Sequence, residues 1–267
     1  MSTGMLDVID KGEISESHPH PLLFVHGAWQ AGWCWEDNFL DSFAARGFRV
    51  VAPSLRGHGS SPTSKPLWRC SVSDYADDLC SVIGTLSSSP VLVGHSLGGF
   101  VVQKYLERCD TAAAILIAST PPRGGQLHSL LRSIRRHPWR SAKFAFTGNP
   151  SDLCGTAAGV RELFFGSQAS DSVVEAFARR MSSDSVRAML YDTVIGDLVR
   201  TRQVRTPVLV LGGEADQVYT PDDVRRTAAA YDTKPIFLPG VGHEVMLEPG
   251  WQSAVDHIAS WLASRGL

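Results

Sequence analysis

Residues 90–100 read PVLVGHSLGGF. The run Pro90–Gly94 has the length and composition of a buried strand. From Leu97 to Arg108 the pattern is helical. Between them lies G-x-S-x-G: Gly94, His95, Ser96, Leu97 and Gly98. A serine on so sharp a strand-to-helix turn is held in a strained backbone conformation. Bulky side chains two residues before or after it would collide across the turn, so glycine fills both places. The hydroxyl then projects above the strand ends, where ligands bind in open α/β sheets. The backbone N–H of Leu97 opens the helix and faces a developing oxyanion. The plainer reading of the same residues is an N-capping serine at an ordinary strand–helix turn.

Outward from this turn, strand-like and helix-like segments alternate. Pro21–His26, Phe48–Ala52, Ala112–Ala118, Pro207–Leu211 and Pro235–Leu238 read as further buried strands. Helical patterns cover Trp35–Arg46, Ser73–Leu86, Pro221–Ala230 and Trp251–Ala263; Pro221 stands in a first turn after Thr220, a good N-cap. This order predicts an α/β fold, a mostly parallel sheet with helices on both faces. From Thr120 to Arg205 there are helical patterns and no strand-like run. A loop of that length holds structure of its own, which predicts an inserted helical cap over 120–205 between core segments 1–119 and 206–267.

The chain has 267 residues, 43% hydrophobic and 19% charged, with net charge −2 and pI near 6.5. It lacks the strongly basic footprint of a nucleic-acid partner. Cys34, Cys70, Cys80, Cys109 and Cys154 are odd in number and contain no CxxC pair, which argues for free thiols. The polar start MSTGMLDVIDKGEISES lacks the basic and apolar parts of a signal peptide, and no apolar run reaches spanning length. A cytoplasmic location is the default expectation.

Five segments resemble the α/β-hydrolase family, in order, from about Leu22 to Leu262. FVHGAW resembles its HG oxyanion loop, APSLRGHGSS the loop after its fourth strand, and VGHSLGGF its nucleophile elbow. LGGEADQVYTP resembles its acid loop and LPGVGHEVMLEP its histidine loop. The order Ser, Asp, His is the order of this fold. HGAWQAGWCW is similar to small esterases of the methylesterase and hydroxynitrile-lyase branch. Ser54 departs from the pattern, standing where many relatives carry an acid before Arg56. The short N-terminal segment implies that the first one or two edge strands are reduced or missing.

The resemblance implies an α/β-hydrolase fold and a serine hydrolase, with no cofactor and no metal. Ser96 is the expected nucleophile and needs a base within reach. Of nine histidines, His243 is the candidate base, in a loop just after Gly240 and Gly242. Asp216 would hold its tautomer; Glu214, two residues earlier, is the rival. The oxyanion donors are the backbone N–H groups of Ala28 and Leu97, so the Ala28 side chain matters little. His26 and His58 read as structural. His95 points away from the nucleophile, and either lines the pocket wall or packs. His18, His20, His128, His137 and His257 read as surface residues. Trp29 and Trp33 either border the acyl pocket or pack in the core. A serine at the elbow excludes the aspartate chemistry of haloalkane dehalogenases and epoxide hydrolases.

The expected partner is a small-molecule ester with an apolar acyl or alcohol part. The same triad also serves thioester, lactone or carbon–carbon cleavage, and a non-catalytic ligand-binding relative is the third class. Residues 124–143 contain Arg132, Arg135, Arg136, Arg140 and Lys143 and no acid. Leu127, Leu130, Leu131 and Ile134 form an apolar stripe at helical spacing. This predicts a cap helix that packs its stripe over the pocket and solvates its basic face; a lid touching lipid surfaces or anionic substrates is the sharper rival. Val173, Val174, Phe177 and Met181 form a second stripe, read as cap packing.

Overall fold

The computed structural model describes residues 5–267, so the first four residues of the polar N-terminal stretch and of core segment 1–119 lie outside the described residues. Seven strands form one sheet in the order β1-β3-β2-β4-β5-β6-β7. They are β1 (Val8–Lys11), β2 (Leu22–Val25), β3 (Val50–Pro53), β4 (Val91–His95), β5 (Ala113–Ile117), β6 (Val208–Gly213) and β7 (Pro235–Leu238). All neighbouring pairs are parallel except β1 on β3. The strand order reverses between β2 and β4, which opens a crevice at their carboxyl ends. One short edge strand therefore survives at the N-terminal side. It is a half-exposed strand whose Asp10 pairs with Arg49 at 2.7 Å.

Strand side chains alternate between two buried layers, as their two-residue period requires. Leu23, Val25, Leu92 and Leu116 face α2 (Val72–Ile83), α3 (Ser96–Leu106) and α9 (Pro221–Ala229). Leu22, Phe24, Val93 and Ile115 face α1 (Asp41–Ala45) and α10 (Trp251–Ala263). Helix α2 starts one residue before the predicted Ser73 because Ser71 and Asp74 form a capping box. The predicted helix Trp35–Arg46 is replaced by a 3₁₀ turn at Gly32–Trp35, a π turn at Glu36–Leu40 and the short α1.

Between β5 and β6 the described chain forms helices and no strand: α4 (Gly125–Arg136), α5 (Pro138–Thr147), α6 (Pro150–Cys154), α7 (Ala157–Phe164), α8 (Asp171–Arg180) and a π-helical stretch, Arg187–Gly196. Val160, Phe164, Phe165, Val174 and Phe177 give this segment its own small core, into which the second predicted stripe packs. All five cysteines are free thiols. No helix among the described residues is long and apolar enough to cross a membrane.

Candidate active site

Ser96 stands at the end of β4, with φ of 51°, in the left-handed region. A non-glycine residue there costs about 1–3 kcal/mol and persists only where the surroundings impose it. The glycines around it impose it for two different reasons. A Cβ on Gly94 would meet the Cα of Gly99 at 2.6 Å, across the turn as expected. A Cβ on Gly98 would instead meet the carbonyl oxygens of His26 and Val25 at 2.3 and 2.4 Å. Gly98 is thus required by the close approach of β2, not by the turn.

The structure brings Ser96, His243 and Asp216 together, although they follow three different strands, β4, β7 and β6. His243 Nδ1 is 2.9 Å from Asp216 Oδ2, and His243 Nε2 is 3.0 Å from Ser96 Oγ. A carboxylate only accepts, so Nδ1 carries the hydrogen and Nε2 accepts from the serine hydroxyl. The other oxygen of Asp216 accepts from the N–H groups of Val218 and Tyr219, at 2.7 and 3.0 Å. Burial pulls the His243 pKa down, but the adjacent Asp216 carboxylate outweighs it and holds the imidazole above its ordinary value. Glu214 is exposed and takes no part.

Ala28 and Leu97 line the cavity above Ser96. Leu97 is second in its helix, so its N–H is one of the orphan donors of a first turn. The loop bearing Ala28 is fixed from the β5–β6 segment: Trp29, itself at φ 65°, donates its N–H to Asp184 Oδ2 at 2.9 Å, and Ser182 donates to its carbonyl at 3.0 Å. Asp184 also lies 3.1 Å from His58 Nε2 and accepts from Tyr75 Oη at 3.1 Å.

His26 accepts at Nε2 from the N–H of Leu55, 3.0 Å away, and is buried in a structural role. His95 is buried against the His243 ring at 4.8 Å and donates from Nε2 to the His243 carbonyl at 3.0 Å. Trp29 borders the cavity. Trp33 packs instead on Phe177, with the Arg180 guanidinium 4.1 Å above its ring. His137, expected at the surface, lines the cavity mouth.

The first apolar stripe does not pack over the cavity as expected, whereas Arg135, Arg136, Arg140 and Lys143 are exposed, as expected of the basic face. Only Leu130 of its four residues lines the cavity, whereas Arg132 and Arg136 do so. The polar face is drawn inward by its own bonds. Tyr219 Oη donates to Gln126, and Arg132 donates to the Val218 carbonyl at 2.6 Å and to the fully buried Asp223 at 3.3 Å.

Besides Asp184, sequence reasoning missed three buried residues around His243. Glu244, next to His243, accepts from Gln30 Nε2 at 2.7 Å, and burial pushes its pKa up to about 7. Glu248 accepts the N–H groups of Gly242 and Gly166, both at 2.8 Å. The adjacency of Glu244 to His243 was a signal; Gln30 and Glu248 gave none, because their roles exist only through contacts distant in sequence. Donor atoms of His95, His243 and Glu244 lie within 4.8 Å of one another. Both ring nitrogens of His243 are already committed, so this set leaves it no free lone pair for a metal.

A family model described as "Alpha/beta hydrolase family" matches residues 22–254. The chain is 30% identical over 214 residues to a bifunctional esterase/perhydrolase of Acinetobacter calcoaceticus, covering 74% of this chain and 75% of that one. It is 27% identical over 238 residues to a non-heme haloperoxidase of Rhodococcus erythropolis, covering 84% and 85%. Among solved structures, it is similar to a thermophilic esterase from Thermogutta terrifontis, with TM-score 0.74, 20% identity and coverage of 98% and 94%. It is also similar to a monoacylglycerol lipase from Paleococcus ferrophilus, with TM-score 0.68, 21% identity and coverage of 97% and 99%.

Proposed function

We propose that this chain, a hydrolase enzyme that belongs to the alpha/beta hydrolase family, cleaves carboxylic esters through an acyl-enzyme on Ser96. The observation that carries the reading is the continuous hydrogen-bond chain from Asp216 through His243 to Ser96. In the first half-reaction His243 Nε2 takes the hydroxyl proton as Oγ attacks the ester carbonyl. The oxyanion is received by the N–H groups of Ala28 and Leu97. Collapse breaks the ester bond, and the alcohol leaves with the proton from His243. Water then attacks the acyl carbonyl and gives a proton to the same nitrogen; collapse breaks the Ser96 Oγ–acyl bond, the acid leaves, and His243 returns the proton to Oγ. Asp216 fixes the tautomer and stabilises the imidazolium throughout. Residues 120–205 act as a cap that shapes the substrate cavity, whose inner wall is apolar at Leu97, Phe144, Leu163 and Met189.

The test is turnover of p-nitrophenyl esters from acetate to octanoate, with Ser96→Ala as control. The expected loss on substitution is about 10⁴-fold or more. A fluorophosphonate should label Ser96. Wild-type turnover no faster than Ser96→Ala across the series sinks the esterase reading. A second reading follows from the relative described as an esterase/perhydrolase: hydrogen peroxide replaces water in the second half-reaction and yields a peracid. Peracid formation from acetate ester and peroxide, dependent on Ser96, tests it.

A further inference from the structure

Helices α4 and α5 stand against the usual rule for a covering layer. Ser129, Ser133, Arg136 and Arg140 line the cavity. Meanwhile Leu127, Leu131 and Ile134 are 41%, 42% and 41% exposed, and Trp139 and Phe146 on α5 are 86% and 94% exposed. Hydrophobic burial alone favours the opposite rotation, with the leucines inward; Arg136 and Arg140 line the cavity and are themselves exposed, which places them at its mouth. The bonds of Gln126 and Arg132 account for how the rotation is held, not for what Arg136 and Arg140 face.

These two arginines are the lining cations without an acidic partner among the described residues, and Glu162 is an unpaired carboxylate in the same lining. Arg132 is answered by Asp223. Arg136 reaches only the Gln217 amide oxygen, at 3.5 Å. Arg140 lies against Gly155 and has no hydrogen bond or ion pair among the described residues. Positions 121–151 contain no acid to neutralise them. Of the two carboxylates in the lining, Glu244 is buried on Gln30, and the exposed Glu162 forms no ion pair among the described residues. Arg136 ends α4 and Arg140 lies in the first turn of α5, across the break at His137, and both line this one cavity; each guanidinium offers the fork of donors that a carboxylate accepts.

We propose that Arg136 and Arg140 form a subsite for a carboxylate at the remote end of the ester substrate, so that the preferred substrates are half-esters rather than neutral esters. This rests on the ester-hydrolase reading for the bond that is cut, and on the cavity lining for the charge.

The test compares each carboxylate-bearing ester with its neutral counterpart of equal length. Monomethyl esters of C4–C10 dicarboxylic acids are set against methyl esters of monocarboxylic acids. O-acetyl esters of ω-hydroxy acids are set against alkyl acetates, which places the charge on the alcohol side. On at least one arm kcat/KM should favour the charged ester about tenfold or more, the gain lying in KM and shrinking with added NaCl. In R136Q/R140Q the charged-to-neutral ratio should fall to near one or below. Binding of the same half-esters to Ser96→Ala, read by calorimetry, should weaken in parallel when both arginines are replaced. A ratio at or below one on both arms, with no half-ester binding tighter than its neutral partner, overturns the subsite even if neutral esters are cleaved. Tight, arginine-dependent binding without turnover or fluorophosphonate labelling upholds the subsite and overturns the hydrolase reading instead.

Discussion

The two halves of the β5–β6 segment are held in opposite ways. From Phe164 to Ser185 the segment is fastened to the catalytic loops. The Phe164 carbonyl accepts the N–H groups of His243 and Glu244 at 2.8 and 3.2 Å, Gly166 shares Glu248 with Gly242, and Asp184 holds Trp29. From Gly125 to Thr147 the side-chain bonds run to the loop after β6 and to α9, five large apolar side chains (Leu127, Leu131, Ile134, Trp139 and Phe146) face water, and two arginines lack acidic partners. The second half therefore holds the loops that carry His243 and Ala28, and the proposed carboxylate subsite would assign the first half to the choice of substrate. The β5–β6 segment thus carries two kinds of attachment on one stretch of chain.

The contrast breaks first at Glu248. Glu248→Ala leaves the buried N–H groups of Gly166 and Gly242 without an acceptor, at about 1–3 kcal/mol each. Thermal unfolding should show a loss of that order, and kcat should fall up to about 100-fold as the His243 loop shifts. Retention of both stability and kcat would show that the second half is not structurally tied to the chemistry.

The next effect is smaller and lies in pH. In the proposed mechanism the base acts only when neutral, so activity should be lost as pH falls through the His243 pKa, which Asp216 holds above its ordinary value. Glu244 adds in the same direction, through its charge. Glu244→Gln removes a charge that favours the imidazolium, so the acid limb of the kcat/KM profile should move to lower pH. An acid limb that stays in place, or moves up, would break the assignment of Glu244 to the base's surroundings.

The smallest effect should come from the first half. Phe146→Ser alters a side chain that is 94% exposed, and the melting free energy should change by no more than about 0.5 kcal/mol. A larger loss would mean that this face is covered and that the two halves are less different than their contacts indicate.

The same contrast marks what the sequence reveals. The parallel strands lie within a residue or two of their predicted bounds because a strand buried on both faces is an unbroken apolar run. Ser96, His243 and Asp216 are legible because each sits in a short motif with its own local geometry. The irregular turns over Gly32–Leu40 are not legible, since the apolar spacing of Phe39, Leu40 and Phe43 suits a regular helix equally well. The rotation of α4 is hidden for a different reason. Its amphipathic pattern says that two faces differ, but not which one meets the core. Gln126 and Arg132 decide that through partners on the loop after β6, more than 80 positions away.

The Phe164 carbonyl sets a limit on how this enzyme can be remodelled. A chimera that exchanges the whole β5–β6 segment cuts through the fastening of the histidine loop, and would need the donor's own loop grafted with it. Exchanging only residues 125–154 leaves those bonds untouched. Directed diversification for new substrates therefore has a natural border, set by one peptide oxygen rather than by the ends of the inserted segment.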